Sequence, residues 1–212
     1  MKRKQKRFIA RMVVLIALLT IILLTVILIN VINAGFKAKK YEKNASVYTL
    51  IMKKNDELIE VAIEDYSETN IASDDISEYV KGQVKIYNSD MEKPTVKVKN
   101  LNTKDLTQVK LVLAYKNMHA FNEFNLTNYQ MDKLNNIKEE ILKGNYTSKD
   151  GETISFSDIK EKDKLQAIII DDIANIAFYG SVLYYNEEVI LHDDIATTSG
   201  EDMAVIIYRN RK

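Results

Sequence analysis

The chain of 212 residues has no cysteine, no tryptophan, one proline, six glycines and two histidines. Without cysteine there is no disulfide framework, no thiolate nucleophile and no lipid-modified cysteine to serve as an anchor. For a domain outside the cell, this suits a bacterial surface where oxidative folding is not relied upon. So little proline and glycine excludes a flexible wall-spanning linker or a low-complexity stalk, and no internal repeat is visible. No glycine-rich phosphate loop is present, and Ser181 and Ser199 lack the glycine-x-serine-x-glycine elbow. Neither His119 nor His192 has a recognisable triad partner. The pairs Glu139-Glu140 and Glu187-Glu188 read as ordinary surface carboxylates rather than a glycosidase pair. No catalytic set and no cofactor is expected.

What is present is one long apolar run. Met12 to Ile32 carries no charge, and only Thr20, Thr25 and Asn30 interrupt its apolar character. About 20 such residues, at 1.5 Å per residue, cross a hydrocarbon core of roughly 30 Å as a helix. Residues 1–11 form a basic tail holding Lys2, Arg3, Lys4, Lys6, Arg7 and Arg11, with no acid. The Lys/Arg excess places the N-terminus in the cytoplasm and the rest of the chain outside. The competing reading is a cleaved signal peptide, whose apolar core runs only about 7–15 residues. The best cleavage point, after Ala34, would put bulky Ile32 at the minus-three place. A single-pass anchor in the lipid bilayer over residues 12–32 is the expectation.

The net charge of zero hides an asymmetry. Residues 1–43 hold ten Lys/Arg against Glu42 alone, leaving twenty basic and twenty-nine acidic residues for 44–212. An acidic outer domain argues against nucleic acid as a partner.

Residues 33–46 read as a polar tether and 47–212 as one extracytoplasmic domain. Val47–Met52 and Leu58–Asp65 predict a β-hairpin across a turn centred on Asn55-Asp56. Ile76, Tyr79, Val80, Val84 and Tyr87 make the stripe of an amphipathic helix, with Asp75 and Glu78 as a capping pair or Ser73 or Asp74 as the cap instead. Thr95–Lys99 and Val109–Tyr115 predict two further strands. A helical turn at His119–Asn122 followed by a strand through Phe124 and Leu126 comes next. A second helix is expected over Met131–Leu142, with Gly144 as its left-handed cap. Asp150-Gly151 marks a hairpin turn, and Leu165–Ile170 a central strand. Asn175–Tyr185, Val189–Leu191 and Met203–Tyr208 are each expected to add one strand. The class is α+β: mainly antiparallel sheet, about two helices packed to one side, and a β-rich C-terminal half.

The hairpin ending in Lys53-Lys54 and Glu64-Asp65-Tyr66, the helix after it, the strand pair KVKNLNTKDLTQVKLVLAYKN and the segment Ala120-Phe121-Asn122 resemble a known group. That group is the small exported proteins of low-GC Gram-positive bacteria, usually lipoproteins, with no assigned activity. The resemblance spans roughly residues 47–208 and implies a surface-anchored domain, without supplying catalytic residues. The chain departs from the group in using an apolar span in place of a lipidated cysteine.

The only pattern suggesting a metal is Asp171, Asp172, His192, Asp193 and Asp194, since imidazole with carboxylates can bind zinc or manganese and clustered carboxylates suit calcium. Against it, HDD in a strand points its side chains to alternate faces, and no spaced D-x-D-x-D loop with glycine is present. The residues therefore read first as a structural turn or a solvated acidic edge, and only second as a metal site. Two functions fit the sequence. One is a membrane-tethered interaction module with a protein partner, such as an accessory subunit of a surface or secretion assembly. The other is an extracytoplasmic binder of a small ligand or cation. The basic flank sets a test of topology. In intact cells Ser148→Cys should react with an impermeant thiol reagent and Gln5→Cys should not; the reverse pattern would invert the orientation.

Overall fold

A computed structural model describes residues 39–210. The tail 1–11, the apolar span 12–32 and the first part of the tether lie outside the described residues. Among the described residues no helix is long and apolar enough to cross a membrane. From Tyr41 onward the chain forms one compact unit. It is α+β, with mainly antiparallel sheets and a β-rich C-terminal half.

Residues 39–44 are helical. Glu42 pairs with Lys99 at 2.5 Å, and Lys110 Nζ donates to the carbonyls of Lys43 and Ala45 at 3.1 Å each.

The chain then enters the expected hairpin, β1 (Thr49–Met52) and β2 (Leu58–Glu64), antiparallel with Thr49 opposite Val61. Its turn closes through Lys53 N–H to the Glu57 carbonyl, with Asp56 at φ 59°, a conformation Asp tolerates better than most residues. Helix α1 (Ser73–Tyr87) begins with Asp75 reaching back to the Ala72 N–H at 3.3 Å, so Asp75 caps upstream and does not pair with Glu78. At its other end Asn88 ties α1 to the next strand. Its Nδ2 donates to the Val84 and Val96 carbonyls, and its Oδ1 accepts from Thr95 and Val96 N–H. Strands β3 (Val96–Asn102) and β4 (Val109–Tyr115) pair antiparallel, and β4 also pairs with β2.

Past this point the sequence reading needs three corrections. The strand through Phe124 and Leu126 is instead the end of helix α2 (Met118–Asn125), whose start Asn117 caps by accepting from Ala120 N–H at 2.9 Å. The helix over Met131–Leu142 is not one helix. Gln130–Lys133 is strand β5, Leu134–Asn136 a 3-10 turn, and only Glu139–Leu142 is helical, as α3. Leu134, Ile137 and Leu142 are buried as their spacing suggests. A helix would withdraw the Met131–Lys133 backbone from the ladder it makes with residues 166–168, so long-range pairing overrides the local period. Third, Asn175–Tyr185 is two strands, β9 (Asn175–Phe178) and β10 (Ser181–Tyr185), which belong to different sheets.

The rest of the chain is β6 (Asn145–Ser148), β7 (Thr153–Ser155), β8 (Gln166–Ile170), β11 (Val189–His192), β12 (Ile195–Thr198) and β13 (Ala204–Arg209). The seven-stranded sheet runs β11-β12-β9-β1-β2-β4-β3, and the six-stranded sheet runs β5-β8-β13-β10-β6-β7. β1 and β9 pair in parallel, and the other pairings are antiparallel.

Alternate residues of the two sheets meet in one core. Leu50, Met52, Leu58, Leu113, Tyr115, Ile176 and Phe178 come from the larger sheet, and Ile168, Ile170, Ile206 and Tyr208 from the smaller. Val84 of α1 and Phe121 of α2 join them. On the far side of the smaller sheet Ala167, Ile169, Val205 and Ile207 pack with Leu134, Leu142, Tyr146 and Phe156 in a second core. With α3 on that far side, the helices are not all on one side. The runs AIII and AVIIY lack alternation because both their faces are buried.

Ile169, 6% exposed, tests this second core. Ile169→Asp should cost several kcal/mol, a large part of an ordinary domain's roughly 5–15. A thermal melt would read it; a shift of only a degree or two would contradict the packing.

Candidate functional site

The five acidic and histidine candidates do not converge. Asp171 and Asp172 follow β8 at the end of β12 where Thr198 lies: Thr198 Oγ1 donates to the Asp172 carbonyl at 2.5 Å and accepts from Ala174 N–H at 2.9 Å. His192 ends β11, and Asp193 and Asp194 form the turn leading into Ile195 at the other end of β12, with Asp193 at φ 54°. The length of β12, about 10 Å, separates the two groups. The Asp172 carboxylate is also engaged, accepting from Tyr129 Oη at 2.9 Å and from Ile173 N–H at 2.8 Å. Among the described residues no three His, Cys, Asp or Glu side chains are grouped to hold a metal. The cation reading therefore lacks a shared centre.

A groove elsewhere is better built. Helices α1 and α2 stand on the larger sheet and leave between them an open cavity of about 800 Å³. Leu111 and Leu113 of β4 line it at the sheet. Ile76, Tyr79, Val80, Ile86 and Tyr87 line it from α1, and Phe124 and Leu126 from α2 and its cap. Tyr87 and Phe124 meet edge to face at 5.5 Å between centroids. The ionisable groups in the lining are the carboxylates Asp75 and Glu123 and the phenols Tyr66, Tyr79 and Tyr87. Glu123 accepts from Tyr87 Oη at 2.8 Å and lies 3.2 Å from His119 Nε2. The Tyr66 phenol is pushed up to about 12, first by its bond to Glu64 and then by burial.

Four of the lining residues are large, apolar or aromatic, and exposed: Ile71 (41%), Tyr79 (67%), Ile86 (67%) and Leu126 (92%). Leu126 is the most unusual. It caps α2 in the left-handed conformation, φ 56°, with its N–H bonded to the Asn122 carbonyl. A left-handed L-residue costs about 1–2 kcal/mol, and glycine or asparagine normally takes that position. Leu126 bears this strain while holding an isobutyl group in water.

A buried polar cluster holds the α2 wall in place. Glu60 of β2 is 7% exposed, and its carboxylate accepts from Tyr115 Oη and from Tyr48. Asn125, the last residue of α2, donates to Tyr115 Oη at 3.1 Å. Burial raises the Glu60 carboxyl above its ordinary value, and the bonds from Tyr115, Tyr48 and Asn125 oppose the rise. Burial, then the Glu60 charge, raises the Tyr115 and Tyr48 phenols. Beyond the helix, Asn122 fixes the next turn by accepting from Tyr129 N–H at 3.1 Å and donating to its carbonyl at 2.7 Å.

No family model, curated protein or solved structure matches this chain. The site thus rests on its own geometry. The sequence reading placed Tyr79 in a buried stripe, and the structure puts it at the groove mouth. The sequence does not single out Ile71 or Ile86, and it assigns Leu126 to a strand with Phe124. For Ile71 the available signal is a large apolar residue in a polar stretch, after Glu68-Thr69-Asn70 and before Ala72-Ser73.

Glu60 makes a pH-dependent prediction. Its raised folded value means that its contribution to stability is present below the ordinary 4.5 and lost as pH rises through the folded value. Glu60→Gln keeps an acceptor for Tyr115 without a charge. Its melting temperature relative to the parent should therefore rise as the pH is raised above 4.5. A difference that stays flat or falls as the pH rises would contradict the assignment.

Proposed function

We propose that this protein is a single-pass, membrane-anchored interaction module, non-enzymatic, with its domain outside the cell and the α1–α2 groove as its binding surface. Residues 12–32 would serve as the anchor in the bilayer, and the partner would be another protein of the surface or of a secretion assembly. The resemblance to small exported Gram-positive surface proteins belongs to the same reading.

The observation that carries it is Leu126. A leucine both strained and 92% exposed beside an apolar groove is disfavoured on folding grounds alone. Covered by a partner, the side chain returns the cost of its exposure. Strain of this kind concentrates at binding sites, and an exposed apolar cluster is the usual mark of a protein interface.

The reading predicts that stability and binding separate. Leu126→Gly should raise stability by about 1 kcal/mol, because glycine adopts the left-handed cap freely. The same change should weaken partner capture. A photo-reactive residue in place of Tyr79, in cells expressing the full chain, should give a discrete protein adduct that Leu126→Gly abolishes and that the same label in place of Lys149 never forms. An adduct indifferent to Leu126, or a destabilised Leu126→Gly variant, would count against the proposal.

A further inference from the structure

The groove's charge and its place in the sheet define the partner segment more closely, and this step rests on the binding reading above. We infer that the groove takes a basic amphipathic helix: an α-helical segment presenting apolar side chains along one face with Lys or Arg beside them.

Charge comes first. The groove sets one carboxylate on each helical wall, Asp75 on α1 and Glu123 on α2, and no Lys, Arg or His is among its lining residues. Glu123 already accepts from Tyr87 Oη at 2.8 Å and lies 3.2 Å from His119, and Asp75 accepts from the Ala72 N–H, so a neutral segment covering the groove would still strip the remaining water from two carboxylates, and an anion would add like-charge repulsion. A cation adds an opposite charge beside both. The exposed ring of Tyr79 offers a second contact for an ammonium or guanidinium group. A fatty acid fits the apolar lining but brings a carboxylate toward two others.

Backbone chemistry decides between helix and strand. The floor is β4, an interior strand paired on one side with β2 and on the other with β3. It therefore has no free edge to add a strand to, and an extended segment lying in the groove would bury backbone donors and acceptors unpaired. A helix satisfies its own backbone and can lay an apolar face between two helical walls.

The test uses the full chain in phosphatidylcholine nanodiscs, with a leucine–lysine amphipathic peptide bearing a photo-reactive group as probe. Empty nanodiscs set the bilayer background, and the crosslinked residues are read by mass spectrometry. Crosslinks should fall on Tyr79, Ile86 and Leu126, and Asp75→Asn with Glu123→Gln should cut them roughly tenfold, as two partly exposed ion pairs would. The leucine–glutamate counterpart should not enter the groove. If it enters equally well, the charge inference fails while the groove remains a binding surface. If the leucine–lysine peptide crosslinks elsewhere, or not at all, the helix inference fails, and the Tyr79 adduct in cells decides the broader reading separately. Displacement of the peptide by a fluorescent fatty acid would replace it with a lipid site. A dimer by light scattering that Leu126→Gly dissociates would replace it with a second copy of the chain.

Discussion

The fold depends on one pairing, the parallel contact of β1 with β9. It joins residues 49–52 to residues 175–178 and makes a single sheet of two strand sets that are otherwise each locally connected. β2, β4 and β3 follow β1 on one side, and β12 and β11 follow β9 on the other. From β9 the chain leaves the larger sheet through Tyr179 and Gly180 and enters the smaller one as β10. At Gly180 a Cβ would lie 2.0 Å from the Arg209 carbonyl oxygen, so only glycine allows β10 to start against β13 there. The shared core follows from that switch, because it brings Ile206 and Tyr208 over Ile176 and Phe178.

The groove depends on this core at one remove. α2 is only eight residues long and would be marginal alone. Phe121 sinks into the core, Asn117 caps its start, and Asn125 is tied through Tyr115 to buried Glu60. Among the described residues no buried side-chain nitrogen or oxygen lacks a partner. A charge-bearing group inside the sheet is thereby made to position the wall of a surface feature.

Local structure was legible wherever local chemistry decides it. The first hairpin, the α1 stripe, the Asp-Gly turn and the strands before Tyr115 follow from alternation, turn residues and helical spacing. QAIII reads as a central strand because it is apolar at nearly every place, and it lies between β5 and β13. Met131 to Leu142 misleads because its spacing is helical while its backbone is claimed by β8. Asn175 to Tyr185 misleads because the break at Gly180 serves a contact with Arg209, far along the chain. The groove was illegible for a different reason. Tyr79 sits on the same helical stripe as Ile76 and Val84, and only the placement of α2 distinguishes the covered part of that stripe from the open part. Asp171 and His192 looked close because both adjoin apolar strands; the length of β12 keeps them apart.

The tether runs straight into β1, so any pull on the chain ahead of residue 46 is delivered to the strand held by ladders on both sides. Those ladder bonds run across the strand, and a pull along its axis strains them in shear, all together, where peeling an edge strand would break them one by one. Glu42 on Lys99 and the Lys110 contacts to the Lys43 and Ala45 carbonyls lie ahead of β1, so under such a pull these surface contacts would yield before the strand held between two ladders.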